Sequence, residues 1–216
     1  MARPTLSDAE RAERRGQLLA AALPLFRASR DLPSVAEIAT VAGVAKGSVY
    51  LSFASKEEIF IALLEESFAT LLVQLSPRLL ALPGDATDAA AQFSSDYARI
   101  VMSVPDLLPL ASMTNAVLER NLPLPAIVKL KEGLASGLHA TADALSQGAL
   151  RLDRSRAVDL LLHTWSMTLG LWQTLDCPRE VQPLLQPSSV TLFDRDFATE
   201  LQQVVRALWL GALRGA

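Results

Sequence analysis

Three times in its first 58 residues the chain sets a serine three positions ahead of a glutamate: Ser7 with Glu10, Ser34 with Glu37, and Ser55 with Glu58. In such a pair the serine hydroxyl accepts from the amide three residues on, and the carboxylate reaches back to the serine amide. Two otherwise orphaned donors are satisfied at once, so each pair marks a helix start. Starts this close together leave room only for short helices and tight turns. The first opens a helix to about Ser29, with Leu18, Ala22, Leu25 and Phe26 at helical spacing. Pro24 inside it removes one amide donor and should kink the helix, at a cost of about 3 kcal/mol. After Asp31-Leu32-Pro33 the second pair opens a short helix with Val35, Ile38, Ala39 and Ala42 on one face, and Gly43 stands where a left-handed cap residue belongs. A third helix can begin near Lys46 and reach roughly Phe53. The Ser55 pair opens a longer one running toward Leu75 or beyond.

Strand signals are nearly absent from the rest. Long helices are predicted over 86–103, 106–120, 123–147, 153–176 and 190–213. Their breaks fall at Pro83-Gly84-Asp85, Pro105, Pro123 and Pro125, Arg151 to Arg154, and Pro178 through Pro187. The fold expected is all-α, a small N-terminal helical module followed by a helical bundle. Half the residues are hydrophobic, enough for a substantial core. The single cysteine, Cys177, excludes an internal disulfide framework, and with only His139 and His163 beside it no metal site is expected. No phosphate-binding glycine loop or nucleophile-base spacing is present, so neither an enzyme nor a bound cofactor is expected. Residues 1–7 lack the apolar core of a secretory signal. No uninterrupted apolar run approaches the roughly 18 residues of a membrane span, so a soluble cytoplasmic protein with no membrane partner is expected.

The net charge of −3 is unevenly shared: residues 1–56 carry eight Lys/Arg against five Asp/Glu, and residues 57–216 carry twelve against eighteen. A basic head (+3) on an acidic body (−6) suits polarised binding to a polyanion. Within the head, a capped short helix, a glycine turn and a second short helix are the parts of a helix-turn-helix. The second helix opens Lys46-Gly47-Ser48, with no bulky apolar group over its first turn. Such side chains suit phosphates and base edges, because a recognition helix presents its N-terminal residues to the major groove. Val49 and Phe53, four apart, would face inward and leave Tyr50 toward DNA. The same spacing also suits a plain helical hairpin inside a core.

Residue identities weigh against the hairpin. Ser34, Ile38, Ala39, Ala42-Gly43-Val44, Lys46-Gly47-Ser48, Tyr50, Phe53 and Ser55-Lys56-Glu57-Glu58 resemble the signature of the tetracycline-repressor (TetR) family of regulators, with Ala21-Ala22 and Phe26 matching its first helix. The resemblance covers roughly residues 11–65. It implies an N-terminal three-helix DNA-binding module with a helix-turn-helix over residues 1–56, a connecting helix of about 56–81, and a ligand-binding and dimerisation domain over 57–216. It implies that Ser34 and Lys56 hold phosphates at helix N-termini, that Lys46, Gly47 and Ser48 approach bases or backbone, and that Tyr50 contacts phosphate. Two positions depart from the family. Ala45 replaces a serine or threonine, losing an N-cap worth about 1 kcal/mol. Leu51 interrupts a Tyr-His-Tyr-Phe run and can offer only apolar contact, as to a thymine methyl. For Lys56 the alternative is a solvated lysine, and for Tyr50 partial burial between helices. Arg11, Arg14 and Arg15 equally suit flanking DNA or a solvated face.

The function implied is a DNA-binding transcriptional regulator, a repressor by the family's commoner mode. It would bind a near-palindromic double-stranded operator as a homodimer and be released by an unidentified small-molecule effector. The alternative is a helical adaptor or ligand sensor that acts mainly through protein partners. In the body, residues 153–176 carry two apolar stripes and should be buried nearly all round. Residues 190–213 place Phe197, Leu201, Val204, Val205, Leu208 and Ala212 on one face, with Trp209 beside it. Extra apolar faces on the last two helices suit a four-helix dimer interface, with Ser166 and Gly170 allowing close approach. Gly133, Gly137, Thr141, Ala144 and Gly148 form a small-residue stripe suited to close helix packing. Candidate pocket residues are Phe93, Tyr97, Met102, Met113, His139, His163, Trp165, Met167 and Trp172, although side chains of these types at helical spacing are more often plain core than effector contacts. A shortage of Lys and Arg among them favours an apolar or cationic effector over a polyanionic one.

Overall fold

A computed structural model of the chain describes residues 7–29, 31–114, 118–177 and 180–215. Pro178, one of the expected helix breaks, and residues 1–6 lie outside the described residues. Every regular element among the described residues is helical. They divide into two compact units, one formed by the residues up to Ser67 together with Pro109–Lys131, the other by Phe68–Leu108 with the residues from Glu132 onward.

In the first unit, α1 (Asp8–Ser29), α2 (Val35–Val41), α3 (Lys46–Val49) and the start of α4 (Lys56–Leu80) enclose a core of Leu18, Ala22, Phe26, Ile38, Val49, Phe53, Ile59 and Phe60, all nearly or wholly inaccessible to solvent. The Phe26 and Phe60 rings lie 5.8 Å apart. Burying a side chain of this size is worth about 1.5–3 kcal/mol, so these residues dominate the stability of a small unit. Pro24 lies inside α1, which continues through it. All three serine–glutamate pairs form: Glu10, Glu37 and Glu58 each donate their amide to the serine hydroxyl, at 3.3, 3.2 and 3.3 Å. In the third pair the carboxylate reaches the amide of Ala54 rather than that of Ser55.

The second unit is built on α5 (Ala86–Met102), the C-terminal part of α7 (Leu124–Gln147), α8 (Arg154–Leu175) and α10 (Phe197–Arg214), with α5 packed along α10. Asp85, Asp153 and Asp196 cap α5, α8 and α10 by accepting backbone amides. At the centre Trp209 is fully buried, its ring stacked on Phe93 at 3.7 Å, and its indole N–H donates to Thr164 Oγ1 at 2.9 Å. α7 approaches its neighbours closely at two of the predicted glycines. A Cβ on Gly137 would lie 2.6 Å from Leu72 Cδ1, and one on Gly148 would lie 3.3 Å from the Leu79 and Leu80 carbonyls, while Gly133 has open space.

Several helices differ from expectation. Of the predicted 106–120 helix, α6 covers Leu107–Met113 and a 3-10 turn covers Glu119–Asn121, while residues 115–117 lie outside the described residues. The predicted 190–213 helix is two, α9 (Pro187–Phe193) and α10, because Asp196 accepts from the Thr199 amide at 2.9 Å and starts a new helix. The core stripe of α10 is Leu201, Val205 and Trp209, successive at i, i+4 and i+8, with Val204 and Leu208 only half-buried. Nor is α8 buried all round. Leu160, Leu161, Thr164 and Thr168 are buried, whereas Leu162, His163, Ser166 and Gly170 are exposed in the single chain. α4 is apolar enough over 18 residues, mean hydropathy 1.6, to pass for a membrane span by composition. One face of it on either side of Glu65-Glu66 is core: Ile59, Phe60 and Leu64 are buried in the first unit, Leu71, Leu75 and Leu79 in the second, while Val73 and Leu80 are exposed.

Candidate nucleic-acid interface and ligand cavity

The geometry of the 34–58 segment follows from local hydrogen bonds. Ser34 Oγ accepts from the Glu37 amide, and Glu37 Oε2 accepts from the Ser34 amide at 2.8 Å. These bonds from the Ser34 side chain and backbone hold the Glu37 carboxyl below its ordinary range. α2 ends in a Schellman motif: Val44 N–H bonds Ala39 C=O at 3.0 Å and Gly43 N–H bonds Thr40 C=O at 3.2 Å. The motif requires a left-handed residue, and Gly43 has φ +68°, a conformation nearly free for glycine and costly for other residues.

α3 then starts at Lys46 with Ala45 as N-cap and no capping side chain. It is shorter than expected, ending at Val49; Leu51 and Ser52 bond back three residues, to Ser48 and Val49, and Phe53 bonds back four. Val49 and Phe53 are buried. Between them Tyr50 is 51 % and Leu51 59 % exposed, so neither side chain is a core residue. Lys46 and Gly47 are also exposed, with nothing within 4 Å of a Cβ built on Gly47, and Ser48 is half-buried. Lys56 opens α4 and is half-buried. The structure thus brings Lys46, Gly47, Tyr50 and Leu51 together as the exposed side of one helical turn, with Ser34 exposed at the start of α2.

Arg15 has a role that spacing did not reveal. Its guanidinium carbon sits 4.1 Å above the Phe53 ring, and Nη1 lies 3.5 Å from the Ser52 carbonyl. This side chain ties α1 to the turn that ends α3. The signal was absent because the partners are 37 residues apart.

The second unit holds a cavity of about 310 Å³, partly open to solvent, with a wall from α4, α5, α7 and α8 and with Ala135 and Leu162 exposed at its edge. Of the nine candidate pocket residues, Tyr97 and Trp165 are on its wall. Phe93 is stacked in the core against Tyr97 and Trp209. Met102 and His163 are exposed, and His139 edges a separate hollow with Arg154 and Asp153. Met113 belongs to the first unit. Met167 and Trp172 are half-buried off the wall; the Trp172 indole packs edge-on against Phe197, its N–H buried without a partner. Most of the wall is made by residues that spacing could not single out, among them Phe68, Leu72, Leu75, Leu138 and Leu161. The Tyr97 hydroxyl lies 2.9 Å from Thr168 Oγ1. Burial pushes the Tyr97 phenol far up, so it stays protonated.

The family profile described as "Bacterial regulatory proteins, tetR family" matches residues 18–63, and that described as "Tetracyclin repressor-like, C-terminal domain" matches residues 65–216. No curated protein matches the chain. Among solved structures, the fatty acid degradation regulator FadR from Bacillus halodurans is 20% identical with a TM-score of 0.57, over 91% of this chain and 97% of that one. The TetR family transcriptional regulator PfmR from Thermus thermophilus is 19% identical with a TM-score of 0.53, over 91% and 97%. The transcriptional regulator FadR from Bacillus subtilis, solved in complex with stearoyl-CoA, is 19% identical with a TM-score of 0.53, over 91% and 98%. At such identities these likenesses show the fold alone. The second profile spans well over half of the chain, and together with the first it shows that the chain belongs to the tetracycline-repressor family of bacterial regulatory proteins.

Proposed function

We propose that the protein is a cytoplasmic transcriptional repressor that holds a near-palindromic operator as a homodimer and releases it when a small molecule enters the cavity of the second unit. The observation that carries the reading is the exposed turn of α3, where Lys46, Gly47, Tyr50 and Leu51 stand clear while Val49 and Phe53 anchor the helix from beneath. Residues 1–56 form the reading head in this proposal and residues 57–216 the sensing and pairing body. Lys46 and Ser48 meet bases or backbone, Gly47 lets the backbone approach closely, Tyr50 and Ser34 donate hydroxyl protons to phosphates, and Lys56 supplies charge at the start of α4. Leu51 offers a methyl-sized contact rather than a hydrogen bond.

Pairing is supported by the outer face of α8, Leu162 with Ser166 and Gly170, and by the half-buried Val204 and Leu208 of α10. A twofold mate places two recognition helices about 34 Å apart, or a multiple of that. An effector that prefers the conformation with the wrong spacing then releases DNA by differential affinity. The cavity supports the effector part.

The test is a mobility-shift titration on DNA selected from a random pool by the wild-type protein. Lys46→Ala and Tyr50→Ala are each expected to weaken binding while leaving helicity and melting nearly unchanged. Unaltered affinity in both variants would sink the assignment. Binding should also weaken steeply with salt, as a helical adaptor's binding to a protein would not.

A further inference from the structure

Among the described residues the cavity wall contains no Lys, Arg, His, Asp or Glu; its polar side chains are Tyr97, Thr141, Thr164 and Trp165. An inventory of their protons is nearly closed. Thr141 donates to the Gly137 carbonyl at 2.8 Å. Thr164 donates to the Leu160 carbonyl at 2.7 Å and accepts from the Trp209 indole. Thr168, behind the wall, donates to the Thr164 carbonyl at 2.7 Å, so its short contact with Tyr97 leaves the phenol as the donor. All three hydroxyl protons on the wall are therefore spent inside the protein. What these groups can still offer is lone pairs. The Trp165 indole N–H is the wall's one donor side chain with no acceptor among the described residues.

From this inventory we infer that the cavity takes an uncharged, mainly hydrocarbon molecule with at most one polar group, such as an alcohol, phenol or ketone, and rejects both anionic and cationic head groups. This rests on the reading of the cavity as the effector site and names its ligand class. The physical reason is desolvation. An ionised head group drawn in past the open edge, among these side chains, meets hydroxyl lone pairs and hydrocarbon if anionic and no carboxylate if cationic, so neither recovers the hydration it gives up. A neutral hydroxyl needs an acceptor for its single proton, and the lone pairs of the wall hydroxyls supply one. Size is compatible: an apolar void of about 150 Å³ already suffices for benzene, and this one has about 310 Å³.

The experiment is calorimetric titration of the whole protein at pH 7.5 with 1-octanol, octanoate and octyltrimethylammonium, which share a chain and differ in charge. Leu138→Trp and Ala135→Trp, each checked for native helicity, serve as two independent fillings of the cavity. Octanol binding on the order of tenfold or more tighter than either ion, and lost in the folded filling variant, supports the inference. Octanoate or the ammonium binding as tightly as octanol, with the filling variants abolishing both, overturns the charge exclusion and leaves the cavity standing as a site. Failure of octanol to bind, or octanol binding untouched by filling, overturns the cavity reading and the inference together.

Discussion

At the scale of single residues, Arg15 separates two kinds of work. On sequence alone it is one of three arginines on a helix face; in the structure it caps Phe53 and reaches Ser52. Such a cation–π contact is worth about 0.5–2 kcal/mol, and the stem packs as well. Arg15→Ala is expected to lower the melting temperature and weaken DNA binding together, with the salt dependence unchanged. A direct phosphate contact would instead leave melting alone and reduce the salt slope by about one; calorimetry and a salt titration distinguish the two. Glu37 gives a pH dependence of definite sign. Its carboxyl is held low by the Ser34 side chain and amide, so its contribution is fully present above the unfolded value of about 4.3 and is lost as pH falls through the lower folded value. The stability difference between wild type and Glu37→Gln at pH 7 is expected to shrink on acidification below that value. A difference that stays constant on acidification well below the unfolded value, in denaturant melts, would contradict it.

At the scale of elements, the α2–α3 junction depends on one backbone conformation. Gly43 sits at φ +68° with open space around a would-be Cβ, so a substitution there meets no neighbour and its whole cost is backbone strain. Gly43→Ala is expected to destabilise by about 1–2 kcal/mol, and Gly43→Asn by less, since Asn tolerates the left-handed region better. Urea melts of the two variants test the order; equal costs would point to a clash rather than to strain. Gly148 is the opposite case, its constraint being the Leu79 and Leu80 carbonyls at 3.3 Å. The two glycines serve different ends, a turn and a close approach, though both lie near a helix end.

For the whole molecule, the proposed dimer makes the outer face of α8 its most consequential surface. Gly170 has nothing within 4 Å of a would-be Cβ, and arginine is a better helix former than glycine by roughly 1 kcal/mol. Gly170→Arg should therefore leave the isolated fold intact while removing the pairing. Light scattering is expected to give twice the chain mass of 23.3 kDa for wild type and the single mass for the variant. DNA affinity should fall with it, because one head keeps only one half-site. A wild type that stays monomeric at micromolar concentration would contradict the twofold mechanism.

The N-terminal elements were legible from the chain because their determinants are local. The three capping pairs and Gly43 act within four or five residues, and the exposed turn of α3 follows from Val49 and Phe53 being apolar and four apart. Beyond Phe68 the determinants are not local. α8 is apolar on two sides, so its 3.6-residue period marked no unique inner face; only the neighbours α5 and α10 chose Leu160, Thr164 and Thr168. Trp209 read as a flank of its helix and is the centre of the core, selected by Phe93 on one side and Thr164 on the other. The cavity is the extreme case. It is volume that four helices leave unfilled, a property of their spacing, and no residue along the chain announces a gap.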